Sequence, residues 1–583
     1  MLCCEQKIDE IAKGIDSITL LLSQNASQPV QGTEANTIWH PDRSASARPL
    51  TKSQPLLWDH SAHIINFIKT VVEDKNPQYV ESHAAEPLSS LRKLVQILED
   101  PGASPCSGFK FMRSQSNPPM PPLEAVVTVL RWAKDHEGYS GIARITEILP
   151  VETFTDICRM VYFAVDDYSE VDLILANGYL ACAFSQHFLE YGLQDSRKYC
   201  NICRQNLHEG LARFPLLLPA SMEVIAALTL GVYDAIETSR ATTAWRFVSA
   251  ASSLCLTLGY HRITSTKEEN QSLRASQERL FWSIYKMDKG LSLQLSRPSN
   301  IRDDEITLPR SDKEPRQRRL GRIQGKVYDQ LYSQASSSRS IDERGRLAET
   351  LAEELRGLIN ETHTEIFAAA AQVAEDGFDP LKGLYLQCDL VCQASLLTLI
   401  LRATPSRPDS LGSVSEDCVA VARDVFDVHQ KCMIDLRKCK DPMMVTQYIN
   451  WAIVHIPFVP FSILFTHAVQ FLDLADLERL DTFAASLKPD TVDGQESITH
   501  PHRLYELLCQ AARLYIDSRN PSFPEDSTLI PENLDIFGLS TFGTEPDAES
   551  ESFHMSSLQT LGLNDWYHNN QQIMRLLNED SLF

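Results

Sequence analysis

The chain has 583 residues and a mass of 65.6 kDa, enough for about three to five ordinary domains or one large body. Apolar residues make up 43 % and charged residues 22 %, so a sizeable core can form and wholesale disorder is excluded. With 54 basic against 77 acidic side chains the net charge is −23. The overall field repels nucleic acid, and any DNA contact needs a local basic module.

At the N-terminus Ile8, Ile11, Ile15, Ile18 and Leu22 recur at 3-4-3-4 spacing, the seam of a short coiled coil or of a plain amphipathic helix. Residues 1–22 are therefore a candidate dimerisation stem. Residues 23–55 are rich in Ser, Gln, Asn, Pro and Thr without apolar periodicity and read as a flexible linker. Residues 56–122 form a helical lead-in that ends in a Pro-rich break at 100–122.

From Leu123 onward the pattern is helical. Ala244, Phe247, Val248, Ala251, Leu254 and Leu258 fall on one face, and Leu280, Ile284, Met287 and Leu291 on another. No run of short alternating segments with hairpin signals occurs. The expected fold is all-α, a large multi-helix regulatory body over 123–520 built from antiparallel helices. The apolar stretch from Trp451 to Phe465 contains Pro457 and Pro460 and falls short of the roughly 20 clean residues of a membrane span. It reads as buried core, and no membrane partner is expected.

One dense basic run stands out. Arg310, Lys313, Arg316, Arg318, Arg319, Arg322 and Lys326 face only Asp312 and Glu314. It is either a solvated loop and helix start or a nuclear import signal, with Lys313, Arg316, Arg318 and Arg319 as its candidates. The tail, 521–583, reverses the charge: eleven acidic residues stand against Arg575 alone, interleaved with Phe523, Phe537, Phe542, Phe553, Trp566, Tyr567 and Phe583. Acidic-aromatic alternation keeps a segment open and suits an activation segment as well as a solvated tail.

Catalytic constellations are scarce. There is no P-loop, dinucleotide glycine fingerprint, His-Glu-x-x-His helix or Gly-x-Ser-x-Gly elbow. The fourteen cysteines are too sparse for a disulfide scaffold and mostly sit in apolar helical patterns, so they read as reduced thiols. Cys200 and Cys203 form a lone CxxC that lacks the second pair a zinc site needs. Asp166, Asp167 and Glu170 could share a face and hold Mg²⁺, as the aspartate-rich motif of helical terpene synthases does. The second terpene-synthase motif is missing, and solvated helix ends explain the cluster.

The segment from about 123 to 333 resembles the middle homology region of fungal zinc-cluster transcription factors. The resemblance rests on Pro121-Pro122-Leu123-Glu124-Ala125 and on Ala244-Trp245-Arg246-Phe247, leading to Gly259-Tyr260-His261-Arg262. Its most specific part runs Glu278-Arg279-Leu280-Phe281-Trp282-Ser283-Ile284-Tyr285-Lys286-Met287-Asp288-Lys289, followed by Arg297-Pro298 and Pro309. As scaffold, Trp245, Phe281, Trp282 and Tyr285 supply apolar area. Glu278, Asp288 and Arg297 are expected to form a charge network that fixes helix register.

The resemblance implies a nuclear regulator of RNA polymerase II transcription, not an enzyme, acting on a metabolic or secondary-metabolite gene set. The family reads DNA through six cysteines holding two zinc ions, and that cluster is not in this sequence. Its absence leaves two expectations: a zinc module truncated off the chain, or a cluster-less co-regulator that dimerises with a complete factor. Either way, these 583 residues are expected to carry no cofactor and to bind DNA weakly or not at all. The expected partners are DNA through a missing module or a partner, a homo- or heterodimer mate, the transcription machinery through the tail, and a small-molecule effector whose pocket the sequence does not locate.

Overall fold

A computed structural model describes residues 119–163, 168–214, 218–262, 271–309, 314–372, 379, 381–404, 414–439, 441, 443–454, 459–488 and 501–519. All of them lie in the larger of the two units into which the chain divides, residues 55–583. The stem at 8–22, the linker, the helical lead-in up to residue 118 and the tail lie outside the described residues.

Sixteen α-helices and no strand occur among the described residues, as the periodicity predicts. They are α1 (Leu123–Asp135), α2 (Ser140–Thr146), α3 (Val151–Phe163), α4 (Glu170–Tyr191), α5 (Gln194–Ala212), α6 (Met222–Glu237), α7 (Ala241–Thr257) and α8 (Gln271–Gln294). The second half holds α9 (Arg316–Val327), α10 (Ile341–Gln372), α11 (Lys382–Arg402), α12 (Glu416–Leu436), α13 (Met443–Tyr448), α14 (Val459–Phe471), α15 (Leu474–Ser486) and α16 (Pro501–Arg519). Most helices pack against their chain neighbours, as in α4–α5, α6–α7, α10–α11 and α11–α12, which short connections favour.

Two cores form. The first gathers around α4, which packs on α1, α2, α3, α5 and α6. Ser169 starts this helix with a reciprocal cap to Asp172, and Gly192, at φ 73°, ends it in the left-handed region. Those two signals fix both ends. Between them 14 of the 22 residues are buried, most of them apolar, as befits a helix that packs on five others. The second core gathers around α11, α12 and α14. α11 is long and apolar enough to cross a membrane by length and composition, yet most of it is buried inside the protein, where it serves as a core helix. Val459 to Phe465 of the apolar stretch are buried in the same core.

Helix α8 spans both cores: Leu280, Ile284 and Leu291 belong to the first and Leu293 to the second. The face predicted for α7 is only partly right. Ala244, Val248, Ala251 and Cys255 are buried, Phe247 and Leu254 are half-buried, and Leu258 is exposed past the end of the helix. Gly259 (φ 72°) turns the chain there, and Tyr260 N donates to Cys255 O at 3.0 Å, the closing bond of a helix end in the Schellman manner.

Candidate functional site

The residues that carry the family resemblance build a clamp around one turn. Phe281, Trp282 and Tyr285 are buried, with ring centroids 5.2 Å (Phe281–Trp282) and 5.3 Å (Trp282–Tyr285) apart in edge-on geometry. One turn on, the fully buried Asp288 accepts from Asn300 N (3.1 Å), Asn300 Nδ2 (2.7 Å), Ile301 N (3.1 Å) and Ser299 Oγ. Lys289, equally buried, donates to Ile301 O at 2.7 Å and pairs with Asp303 at 2.8 Å. Tyr285 Oη donates to Asp303 at 3.0 Å. The loop after Arg297-Pro298 is thereby held against α8 by buried charges whose hydrogen-bonding capacity is used.

The expected network of Glu278, Asp288 and Arg297 resolves into separate tasks. Asp288 holds the turn, Glu278 lies 3.4 Å from Trp282 Nε1, and the Arg297 guanidinium sits 5.6 Å from the Trp245 ring centre. Glu278 and Asp288 stand ten residues apart on α8, and Arg297 lies beyond its end at Gln294. His261 is buried, and burial pushes its imidazole below the ordinary value. Its carbonyl accepts from Thr307 N, while Arg262 is exposed and reaches Glu305.

The basic run lies on α9, apart from Arg310 and Lys313, which fall outside the described residues. Its cations are engaged within the chain. Arg316 pairs with Glu365 (2.7 Å) and Asp389 (3.3 Å), Arg319 with Glu361, Arg322 with Glu314 (2.6 Å) and Lys326 with Glu354 (2.9 Å). Arg318 lies 4.9 Å from the Trp282 ring centre. Their partners sit mostly on α10 and α11, so the run ties α9 into the second core.

Of the aspartate-rich cluster, Asp166 and Asp167 lie outside the described residues. Glu170 opens α4, and its carboxylate is taken by Arg213 at 2.6 Å. Cys200 and Cys203 are buried free thiols on α5, and burial pushes Cys200 up to about 12. His467, Asp473 and Asp476 come close enough to hold a metal ion. The place of a cation is filled by Arg423, whose Nε and NH2 donate to the two oxygens of the fully buried Asp476 at 2.8 and 2.7 Å. Desolvation acts to raise Asp476, but the Arg423 hydrogen bonds and charge outweigh it and hold the carboxyl below the usual range.

The feature the sequence did not locate is a cavity of about 570 Å³ on the seam between the two cores. Its wall is drawn from α2, α4, α5, α6 and α8 on one side, and from α9, α10, α11, α12, α13 and the π-helical segment Ile449–Val454 on the other. Volumes of this order suit small-molecule ligands. The π-turn, a distortion that often marks functional positions, carries Trp451 into the wall.

Glu237, the last residue of α6, organises one end. Its Oε2 accepts from Arg204 NH2 at 2.6 Å and Gln447 Nε2 at 3.2 Å, and its Oε1 from Arg144 NH2 at 3.4 Å. Its backbone carbonyl accepts from Asn450 Nδ2 at 2.7 Å. One side chain thus joins α2 and α5 to the opposite core. Further links cross the seam at Ser140–Asp379 (Oγ to Oδ2, 2.6 Å) and Gln294–Val454 O (2.8 Å). A sequence signal for Glu237 exists: Asp234 and Glu237 place two acids in the last turn of a mostly apolar helix, against its dipole, which favours cations at that end.

Residues 166–318 match the family model of the fungal specific transcription factor domain. No curated protein and no solved structure matches the chain. The matched span covers α4 to α8, including the Phe281–Asp288 clamp, the Arg297-Pro298 turn and one side of the cavity except for α2. The chain thus carries a fungal-specific transcription factor domain, the domain of a family of transcription regulators rather than of enzymes.

Proposed function

We propose that the protein regulates RNA polymerase II transcription in a fungal nucleus, controlling a metabolic or secondary-metabolite gene set. The family match over 166–318 carries this reading. On it, the helical body is the regulatory part. DNA contact comes from a zinc-cluster module outside these 583 residues or from a partner that has one. Residues 8–22 pair with a second chain, and the acidic-aromatic stretch 521–583 engages the transcription machinery.

The chemistry of the cavity is in keeping with binding rather than turnover. Glu147, Glu237, Glu365 and Asp389 are each matched to a cation, Glu147 by Lys286 at 2.8 Å, so none is placed as an unpartnered general base. The test is to fuse the full chain to a foreign DNA-binding module in a fungal reporter strain. Reporter output that changes with the fusion, and returns to baseline when 521–583 is deleted, supports the reading. Output equal to that of the foreign module alone would overturn it.

A further inference from the structure

Three guanidinium groups gather at one end of the seam cavity and share two carboxylates. Asp234 contacts Arg240 at 2.9 Å and Arg204 at 3.6 Å, with His208 also against it. Glu237 takes Arg204 closely and Arg144 only at 3.4 Å. Arg144 is therefore the under-neutralised cation. Among the described residues the long contact to Glu237 is its single hydrogen bond, and its Nε has no partner.

Its position is fixed all the same. The guanidinium stands 5.3 Å from the Tyr233 ring centre and 5.7 Å from that of Trp451, a cation held by two aromatic rings. About 32 % of its side-chain surface is free, although it sits deep in the molecule on the cavity wall. A guanidinium held this way presents a planar fork suited to a carboxylate.

A second donor stands across the seam. Tyr385, on α11, accepts from Gln186 Nε2 at 3.3 Å and has its own hydroxyl proton to give. Burial pushes its phenol up to about 12, so the proton stays on at neutral pH. Arg144 and Tyr385 are close enough to influence each other's titration. The remaining wall includes Leu207, Leu230, Met287, Leu320, Leu386 and Met444, apolar surface for the body of a ligand. Of the other charges on the wall, Lys286 is matched by Glu147 and Arg316 by Glu365 and Asp389, while Lys382 adds a further cation at the start of α11.

We propose that this cavity binds a small organic acid with an apolar or aromatic body, its carboxylate received by Arg144 and the Tyr385 hydroxyl. Such a ligand bridges the two cores, so binding stiffens the seam. As the effector site of a regulator this rests on the function proposed above. Binding is read on the purified full chain, so the two ideas fail separately.

The experiment is calorimetric titration with sodium octanoate, phenylacetate and indole-3-acetate, each against its primary amide. At least one acid is expected to bind, with its amide weaker by a factor of about 10 to 100, the range of a charge-assisted hydrogen bond. Arg144→Gln is expected to lose a similar factor. Ser185→Phe, which fills the wall from α4 and leaves Arg144 in place, is expected to abolish binding while the circular dichroism of the chain is unchanged. Absence of binding by all three acids at 5 mM (roughly the millimolar floor of useful affinity), or equal binding of acid and amide, would overturn the proposal. The acid–amide comparison decides it even where Arg144→Gln does not fold.

Discussion

Replacing Glu237 by Gln keeps the shape of the side chain and removes its charge. Arg204 is left with Asp234 at 3.6 Å, and Arg144 is left with no anion among the described residues. Breaking a buried ion pair by removing one partner costs about 3–5 kcal/mol. Two effects reduce that figure here. The amide oxygen still accepts one hydrogen bond, worth about 1 kcal/mol, and the free surface of Arg144 on the cavity wall lets water reach it. The expected loss is about 2–3 kcal/mol, read as a lower urea midpoint with an unchanged slope. Because the damage comes from uncompensated guanidinium groups, Glu237→Gln combined with Arg144→Met is expected to be more stable than Glu237→Gln alone. A loss below about 0.5 kcal/mol, or a double variant less stable than the single, would refute the view that Glu237 neutralises the seam.

Acid should destabilise the protein through His429. This side chain is fully buried between Tyr448 Oη and Ser486 Oγ, both at 2.8 Å, and burial pushes its imidazole down from 6.5 to about 3. Within that window the unfolded chain takes up a proton that the native state refuses, so stability falls as pH drops, by up to about 1.4 kcal/mol per unit. His429→Gln should flatten urea stability against pH between 6 and 4, and an unchanged slope in that variant would remove His429 as the cause. Asp288→Asn should cost about 2–3 kcal/mol and speed amide exchange at Asn300 and Ile301, which donate to it. Wild-type protection at both amides in that variant would contradict the clamp. The isolated chain should show no tight, sequence-specific gel shift at physiological salt, whereas a specific complex at nanomolar protein would refute the expectation that DNA contact comes from elsewhere.

The fold class was legible because each helix writes its own pattern. The all-α class follows from 3.6-residue periodicity, read most plainly on α7 and α8, and the burial of Phe281, Trp282 and Tyr285 follows from their place within it. What sequence reading missed depends on contacts between remote positions. The basic run looked like free charge because Arg316 meets Asp389 across 73 residues and Lys326 meets Glu354 across 28. Asp288 looked like a member of an ion network, yet it caps a turn twelve residues on, using donors that every backbone has. The cavity was invisible for the same reason. Its wall runs from Ser140 to Trp451 through eleven elements, and no local pattern marks a side chain that faces empty space. Glu237 left a faint trace, an acid at the wrong end of a helix dipole. Such misplaced charges are where sequence reading can look for sites (a local rule broken and compensated in three dimensions).

The central claim is that this chain acts on transcription. The most direct measurement is chromatin occupancy of the tagged native protein in its own host, paired with transcript levels after deletion of the gene. The account predicts enrichment at a limited set of promoters whose transcripts change on deletion. An even chromatin background with an unaltered transcript profile, under conditions where the protein is expressed, would contradict it.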